Sequence, residues 1–160
     1  FGLEGIPGIY IHSLLGTGND YEKLKNTSHS RSINRHKWDY TKLQDQLGSP
    51  YSQHSKVHKR MITLLNVRKE QPAFHPNATQ FTLQLGDQIF GFWRQSMDRS
   101  QSIFCIFNIS DEPQDLRLSD INLIGTDTWF DLISGQTMCL EDLEYQLTPY
   151  QSMWISNIKN

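Results

Sequence analysis

The residues best equipped for chemistry lie close together. Asn19, Asp20, Asn34 and Arg35 share one long loop, residues 13–35, rich in Gly, Asn, Thr and Ser, and His36 closes it. A segment of that length with no evident helix or strand pattern is uncommon inside a compact domain, where it is usually functional or disordered. Its density of Arg, Asn, His and Asp favours function. Arg35 stands first among them. A planar guanidinium can hold a carboxylate through two hydrogen bonds and still present a donor edge to hydroxyl groups. Asp20, Asn34 and His36 add short polar groups suited to a polyhydroxylated ligand, although Asn and Asp also hold turns by bonding their own backbone. His54 and His58 are four apart in HSKVH, a spacing that places both on one helix face. No Glu follows the first His, as a metalloprotease helix requires, and no further ligand cluster is visible, so surface histidines and no metal are expected. The two cysteines, Cys105 and Cys139, lie in apolar strand-like runs. They are expected to be buried free thiols, and a bridge between neighbouring strands stays open.

These residues need elements to position them. Residues 8–12, GIYIH, follow Gly5-Ile6-Pro7 and lack polar alternation, which predicts a strand buried on both faces, as in a parallel barrel. Residues 40–47 predict a short helix stopped by Gly48-Ser49-Pro50. Residues 52–69 predict a longer one, with Val57, Met61, Leu64, Leu65 and Arg68 on one face, ended at Gln71-Pro72. The pattern changes near Pro76. After it come short strands with turn residues between them: 81–85, 89–96, 102–110, 115–119, 128–134, 137–140 and 152–156. Spacing of this kind predicts an antiparallel sandwich. The aromatics Phe92, Trp93, Phe104, Phe107, Trp129, Phe130 and Trp154 sit at strand spacing, and most of them are expected in its core. Phe74 is expected to anchor the sandwich to the preceding helix.

Composition excludes several partner classes. The 160 residues carry 15 Lys+Arg against 17 Asp+Glu, a net charge of −2, with a pI near 6.3 and a mean hydropathy of −0.55. That balance offers neither nucleic acid nor an anionic membrane surface an electrostatic attraction. No apolar run approaches the roughly 20 residues of a membrane helix. The apolar N-terminus has no basic segment or cleavage site typical of a secretory signal, so a cytoplasmic location is expected. It also lacks an initiator Met, which suggests that something precedes it.

The order of the pieces resembles a known family. G-I-P-G-I-Y (residues 5–10) looks like the eighth barrel strand of the α-amylase superfamily, glycoside hydrolase family 13. L-L-G-x-x-N-D (14–20) and R-S-I-N-R-H (31–36) look like sucrose phosphorylase and its close relatives. W-F-D-L-I-S-G (129–135) and L-T-P-Y-Q-S-M-W (147–154) are similar to the closing strands of amylase-type C-terminal domains. The resemblance runs along nearly the whole chain. It implies an α+β architecture: residues 1–76 as the last β/α unit of a (β/α)8 barrel, and residues 77–160 as the C-terminal sandwich.

It also implies a reaction. The parent enzyme takes an α-glucoside, forms a β-glucosyl-Asp intermediate and passes the glucosyl group to phosphate or another acceptor, with no cofactor. The Asp nucleophile, Glu acid/base and third carboxylate lie after earlier barrel strands, and those motifs are absent here. A barrel takes about 250 residues and builds its site from several loops. The chain alone is therefore expected to be inactive and to need the rest of the barrel. Its part is to wall the glucosyl pocket through Arg35, with Asn34, Asp20 and His36 beside it. Without barrel neighbours, the strand at 8–12 could recruit a second copy through its edges. The rival reading is a non-catalytic sandwich module that binds oligosaccharide on exposed aromatics. The segment before Pro76 counts against it, since a free-standing module does not need that segment.

Overall fold

Strand pairing in the second half of the chain follows its turn residues. A computed structural model describes residues 1–121, 128–138 and 144–159. It comprises two units, one of Phe1–Ile6 with Val67–Asn160 and one of Pro7–Asn66. In the first, β1 (Thr79–Thr82) pairs antiparallel with β2 (Ile89–Gln95), placing Phe81 opposite Trp93. Gly86, with φ +84°, lies in the connection, at a conformation glycine adopts without steric cost. β2 pairs with β3 (Ser102–Asn108) through a turn held by Asp98. Its carboxylate accepts from Ser96 Oγ at 2.7 Å, Ser100 Oγ at 2.8 Å and Ser100 N at 3.1 Å. These three donors favour the ionised form and push its pKa down to about 2.

The sheet then departs from sequence order. β8 (Ser152–Ser156) pairs with β3 on one side and β5 (Phe130–Asp131) on the other, and β6 (Gln136–Thr137) completes the edge. The order is β1-β2-β3-β8-β5-β6, and a separate ribbon pairs β4 (Gln114–Arg117) with β7 (Glu144–Leu147). All these pairs are antiparallel. Ile89, Phe104, Ile106, Met153 and Ile155 from the large sheet pack with Leu116 and Leu147 from the ribbon, and with Leu118, Ile121, Trp129 and Met138. This is the antiparallel, two-layer arrangement expected of the strand-rich half.

Particular strands differ from the sequence expectation. Residues 128–134 predict one strand, but only Phe130–Asp131 form it. Asp131 is buried, and its Oδ1 accepts from Trp154 N at 2.9 Å and Ile133 N at 3.2 Å, while Oδ2 accepts from Ser134 N at 3.1 Å. These bonds turn the chain just after the strand, as a side chain that bonds nearby backbone does. Residues 118–121 leave β4 as a 3-10 turn, and β7 is a strand that the pattern did not signal. Cys139 and Leu140, from the strand expected at 137–140, lie outside the described residues. Cys105 is free and buried in β3.

The opening residues and the segment after Val67 attach to the sheet through two arginines. Arg94 of β2 is wholly buried and donates to the carbonyls of Gly2 (2.9 Å), His75 (2.9 Å) and Ala78 (3.3 Å). Arg68 donates to the carbonyls of Phe1 and Gly5 and lies over the Phe74 ring. Phe74 is buried edge-on against Trp154, as the anchoring expectation held. Most strand aromatics are core: Phe92, Phe104, Trp129 and Trp154 are buried, and Trp93, Phe107 and Phe130 are half-buried.

The second unit is helical. Residues 8–12 are not a strand: residues 7–10 are irregular, and α1 (Ile11–Leu14) begins where the barrel strand was expected to end. Tyr10 and Ile11 are half exposed. The Tyr10 and Ile11 carbonyls accept from Leu14 N and Leu15 N, so local helical bonds take up groups that a parallel strand would offer to neighbours. The strand edge invoked for self-association is therefore absent at these residues. α2 (Tyr21–Thr27) and a 3-10 turn (Ser30–Asn34) structure the polar stretch. α3 (Tyr40–Gly48) and α4 (Gln53–Lys69) follow the expected spans closely. Val57, Met61, Leu64, Leu65 and Arg68 are half-buried between exposed Lys56, Lys59 and Arg60 and exposed Ile62 and Thr63, as their spacing predicts.

Candidate functional site

Asp20 organises the polar stretch. Its Oδ1 caps α2 by accepting from Lys23 N at 2.9 Å, which satisfies a donor that the helix end would otherwise leave open. Its Oδ2 meets His36 Nδ1 at 3.0 Å. The Lys23 amide first, and then the His36 contact, hold the Asp20 carboxyl below its ordinary pKa. The Asp20 amide donates to the Ile33 carbonyl, closing the segment into a ring. Thr27 Oγ1 lies 2.6 Å from Ser32 Oγ, and that hydroxyl bonds the His29 carbonyl, which fixes the 3-10 turn against α2.

The four residues singled out from sequence do not converge on one point. Two grooves lie side by side within Pro7–Asn66. One, of about 910 Å3, is lined by Tyr10, His12, Lys23, Thr27, His29, Ser30, Arg31, Ser32, Arg35, His36 and Lys37. The other, of about 410 Å3, is lined by Thr17, Gly18, Asn19, Asp20, Tyr21, Glu22, His36, Trp38 and His54. Arg35 faces the first and Asp20 the second, while His36 borders both. Asn34 lines neither; its carbonyl accepts from the Tyr10 hydroxyl at 2.7 Å. The Arg35 carbonyl accepts from Lys23 Nζ. Neither Arg35, Arg31 nor Lys37 has a carboxylate partner among the described residues.

Sequence reading missed several contributors. Trp38 stands edge-on between His36 and His54, with ring centroids 4.9 Å from each, and its indole N–H donates to Thr17 Oγ1 at 2.9 Å. An aromatic placed directly after Arg35-His36-Lys37 is the signal that could have found it. His54, expected on the surface, is half-buried and its Nδ1 meets the Leu15 carbonyl at 2.8 Å. Among the described residues no His, Cys, Asp or Glu cluster fits a metal ion, and no helix is long and apolar enough to cross a membrane.

The chain has relatives among known proteins. No family model matches the chain. A glucosylglycerate phosphorylase from Allomeiothermus silvanus is 36% identical over 153 residues, covering 96% of this chain and 24% of that protein. A sucrose 6(F)-phosphate phosphorylase from Thermoanaerobacterium thermosaccharolyticum is 33% identical over 75 residues, 47% of this chain and 14% of that protein. The chain thus spans about a quarter or less of these curated relatives. In fold it resembles an Anoxybacillus α-amylase, with a TM-score of 0.58 and 15% identity over 78% of this chain and 25% of that one.

Proposed function

We propose, from the premise that this chain is kin to the sucrose-phosphorylase-like branch of the α-amylase superfamily, that it is part of a retaining α-glucosyl-transferring enzyme. The observation that carries this reading is similarity to a glucosylglycerate phosphorylase along 96% of the chain. On this reading residues 1–76 correspond to the end of the barrel and residues 77–160 to the terminal sandwich. The substrate is an α-glucoside and the acceptor is phosphate. In the reaction that the kinship implies, a carboxylic acid protonates the departing oxygen and a carboxylate about 5–5.5 Å away takes the anomeric carbon. Phosphate oxygen then displaces that carboxylate and the sugar leaves as an α-phosphate ester. On this reading both carboxyl groups come from barrel segments other than residues 1–76.

Here Arg35 is the wall of the glucosyl pocket. It is exposed and has no carboxylate partner among the described residues, so it is available for a carboxylate from another barrel loop. Asp20 and His36 brace the segment that carries it. The rival reading as a sugar-binding sandwich has less support, because Phe92, Phe104, Trp129 and Trp154 are buried.

The test is kinetic. Arg35→Ala in the whole enzyme is expected to lower kcat/KM for phosphorolysis about 10²–10³-fold, from loss of an interaction that positions the transferred group. The melting temperature is expected to stay close to wild type. Arg35→Lys recovers little, since an ammonium lacks the planar fork. The 160-residue chain alone is expected to release no glucose 1-phosphate from sucrose, sucrose phosphate or glucosylglycerate. Near-normal kcat/KM with a collapsed melting temperature would make Arg35 structural.

A further inference from the structure

Charge is sorted between the two grooves. Lys23, Arg31, Arg35 and Lys37 all line the larger one, and no carboxylate does. Of the acids near them in sequence, Asp20 and Glu22 line the smaller groove instead, and Asp39 accepts from Lys42 N as the cap of α3. Asp20 is further committed, to the α2 cap and to His36. Arg31, Arg35 and Lys37 form no ion pair among the described residues.

The basic groups also have an ordered frame. Lys23 is held at the Arg35 carbonyl, the Tyr10 hydroxyl ties down the Asn34 carbonyl, and the Thr27–Ser32–His29 contacts fix the 3-10 turn bearing Arg31. Four like charges around one groove repel unless something negative joins them. The chain as a whole is slightly acidic, so this cationic groove is a local feature and not a sample of the general surface.

We propose that this groove is a binding site for a small oxyanion, held by Arg31 and Lys37 with Lys23 beside them. The chemistry is a phosphate or carboxylate group bound by charge-assisted N–H···O bonds, bidentate where the guanidinium takes part. Arg35 lines the same groove, so the anion sits next to the residue assigned to the glucosyl pocket. His36 lines both grooves and contacts Asp20 in the smaller one. The biological role of the site rests on the glucosyl-transfer reading above; anion binding by the chain itself does not. Two sources share this chemistry, free phosphate and the carboxylate of an acidic acceptor.

The experiment uses the 160-residue chain labelled with 15N. Inorganic phosphate, glycerate and, as a neutral control, glucose are titrated separately while the resonances of Arg31, Arg35 and Lys37 are followed. A saturable shift is expected with at least one of the two anions. Saturation by phosphate alone identifies the free co-substrate as the source, and saturation by glycerate alone identifies the acceptor carboxylate. Arg31→Gln with Lys37→Gln is expected to weaken binding about tenfold or more, as two charge-assisted contacts are lost. Both residues are exposed, so folding is not at stake. Lys56→Gln with Lys59→Gln, on the exposed face of α4, removes the same charge elsewhere and is expected to leave binding intact.

Absence of saturation with both anions overturns the site. So does equal weakening by the two double variants, which would show diffuse attraction. If the whole enzyme turns over no α-glucoside while the chain still binds anion at these residues, the functional reading fails and the anion site stands.

Discussion

Replacing Arg94 by Met tests whether the opening segment is clamped by one buried charge. The guanidinium is fully buried, donates to three backbone carbonyls at 2.9, 2.9 and 3.3 Å, and leaves its Nε without a partner. Burial lowers its pKa, and among the described residues it has no carboxylate partner. Hydrogen bonds from a charged donor contribute about 1.5–3 kcal/mol each, roughly 4–9 for three. Against this stands a desolvation cost of several kcal/mol for the buried ion. Met keeps most of the volume and removes the charge, so the net loss should be about 3 kcal/mol, the difference of those two effects. For a chain of this size that lowers Tm by about 6–12 °C. The local consequence is more specific. Gly2 lies against Cys105, so closely that an added Cβ would stand 2.8 Å from Sγ. Loss of the Gly2 bond frees the segment that covers this thiol, and Cys105 should become reactive in a Cys139→Ser background well below the melting transition. Arg94→Lys should behave like Met, since one ammonium cannot span three carbonyls. The clamp is refuted if Arg94→Met raises Tm, which would mean desolvation outweighs the bonds, or if Cys105 stays unreactive until global unfolding.

Asp20→Ala should reduce helix content at α2 and free the His36 ring, read by circular dichroism and by His36 resonances; Asp20→Asn should keep the cap and lose the ionised partner. The folded Asp20 carboxyl titrates below its ordinary value of 3.8. Its stabilisation is therefore complete above that pH and is lost as pH falls through the depressed pKa. Asp98 behaves in the same sense between 3.8 and about 2; melts at stepped pH should show Asp98→Ala losing its deficit towards pH 2, and an unchanged deficit there would contradict the linkage. Gly91→Ala places a Cβ 2.6 Å from Leu85 Cδ1 and 3.1 Å from Ile106 Cδ1. Overpacking of that kind typically costs about 1–3 kcal/mol, measurable as a lower denaturation midpoint at unchanged slope.

What the sequence determined by itself was local. The half-buried stripe of α4 follows from apolar spacing, and β2, β3 and β8 follow from β-branched and aromatic runs that suit a pleated, buried surface. The resemblance carried by G-I-P-G-I-Y and R-S-I-N-R-H anticipated the relatives found. Tertiary structure decided the rest, because the deciding bonds join residues far apart in the chain. Insertion of β8 between β3 and β5 depends on backbone groups some 50 and 25 positions distant. The strand expected at 128–134 stops at Asp131 because its carboxylate bonds the amides of Ile133, Ser134 and Trp154. Residues 8–12 have an apolar pattern compatible with a buried strand, but among the described residues no strand pairs with them, and helical bonds form instead. The site obeys the same logic. Residue types marked Asp20 and Arg35 as polar candidates, but only folding shows them on different grooves. The cap on α2 turns the carboxylate away from the cationic side, and His36 is left as the residue between them.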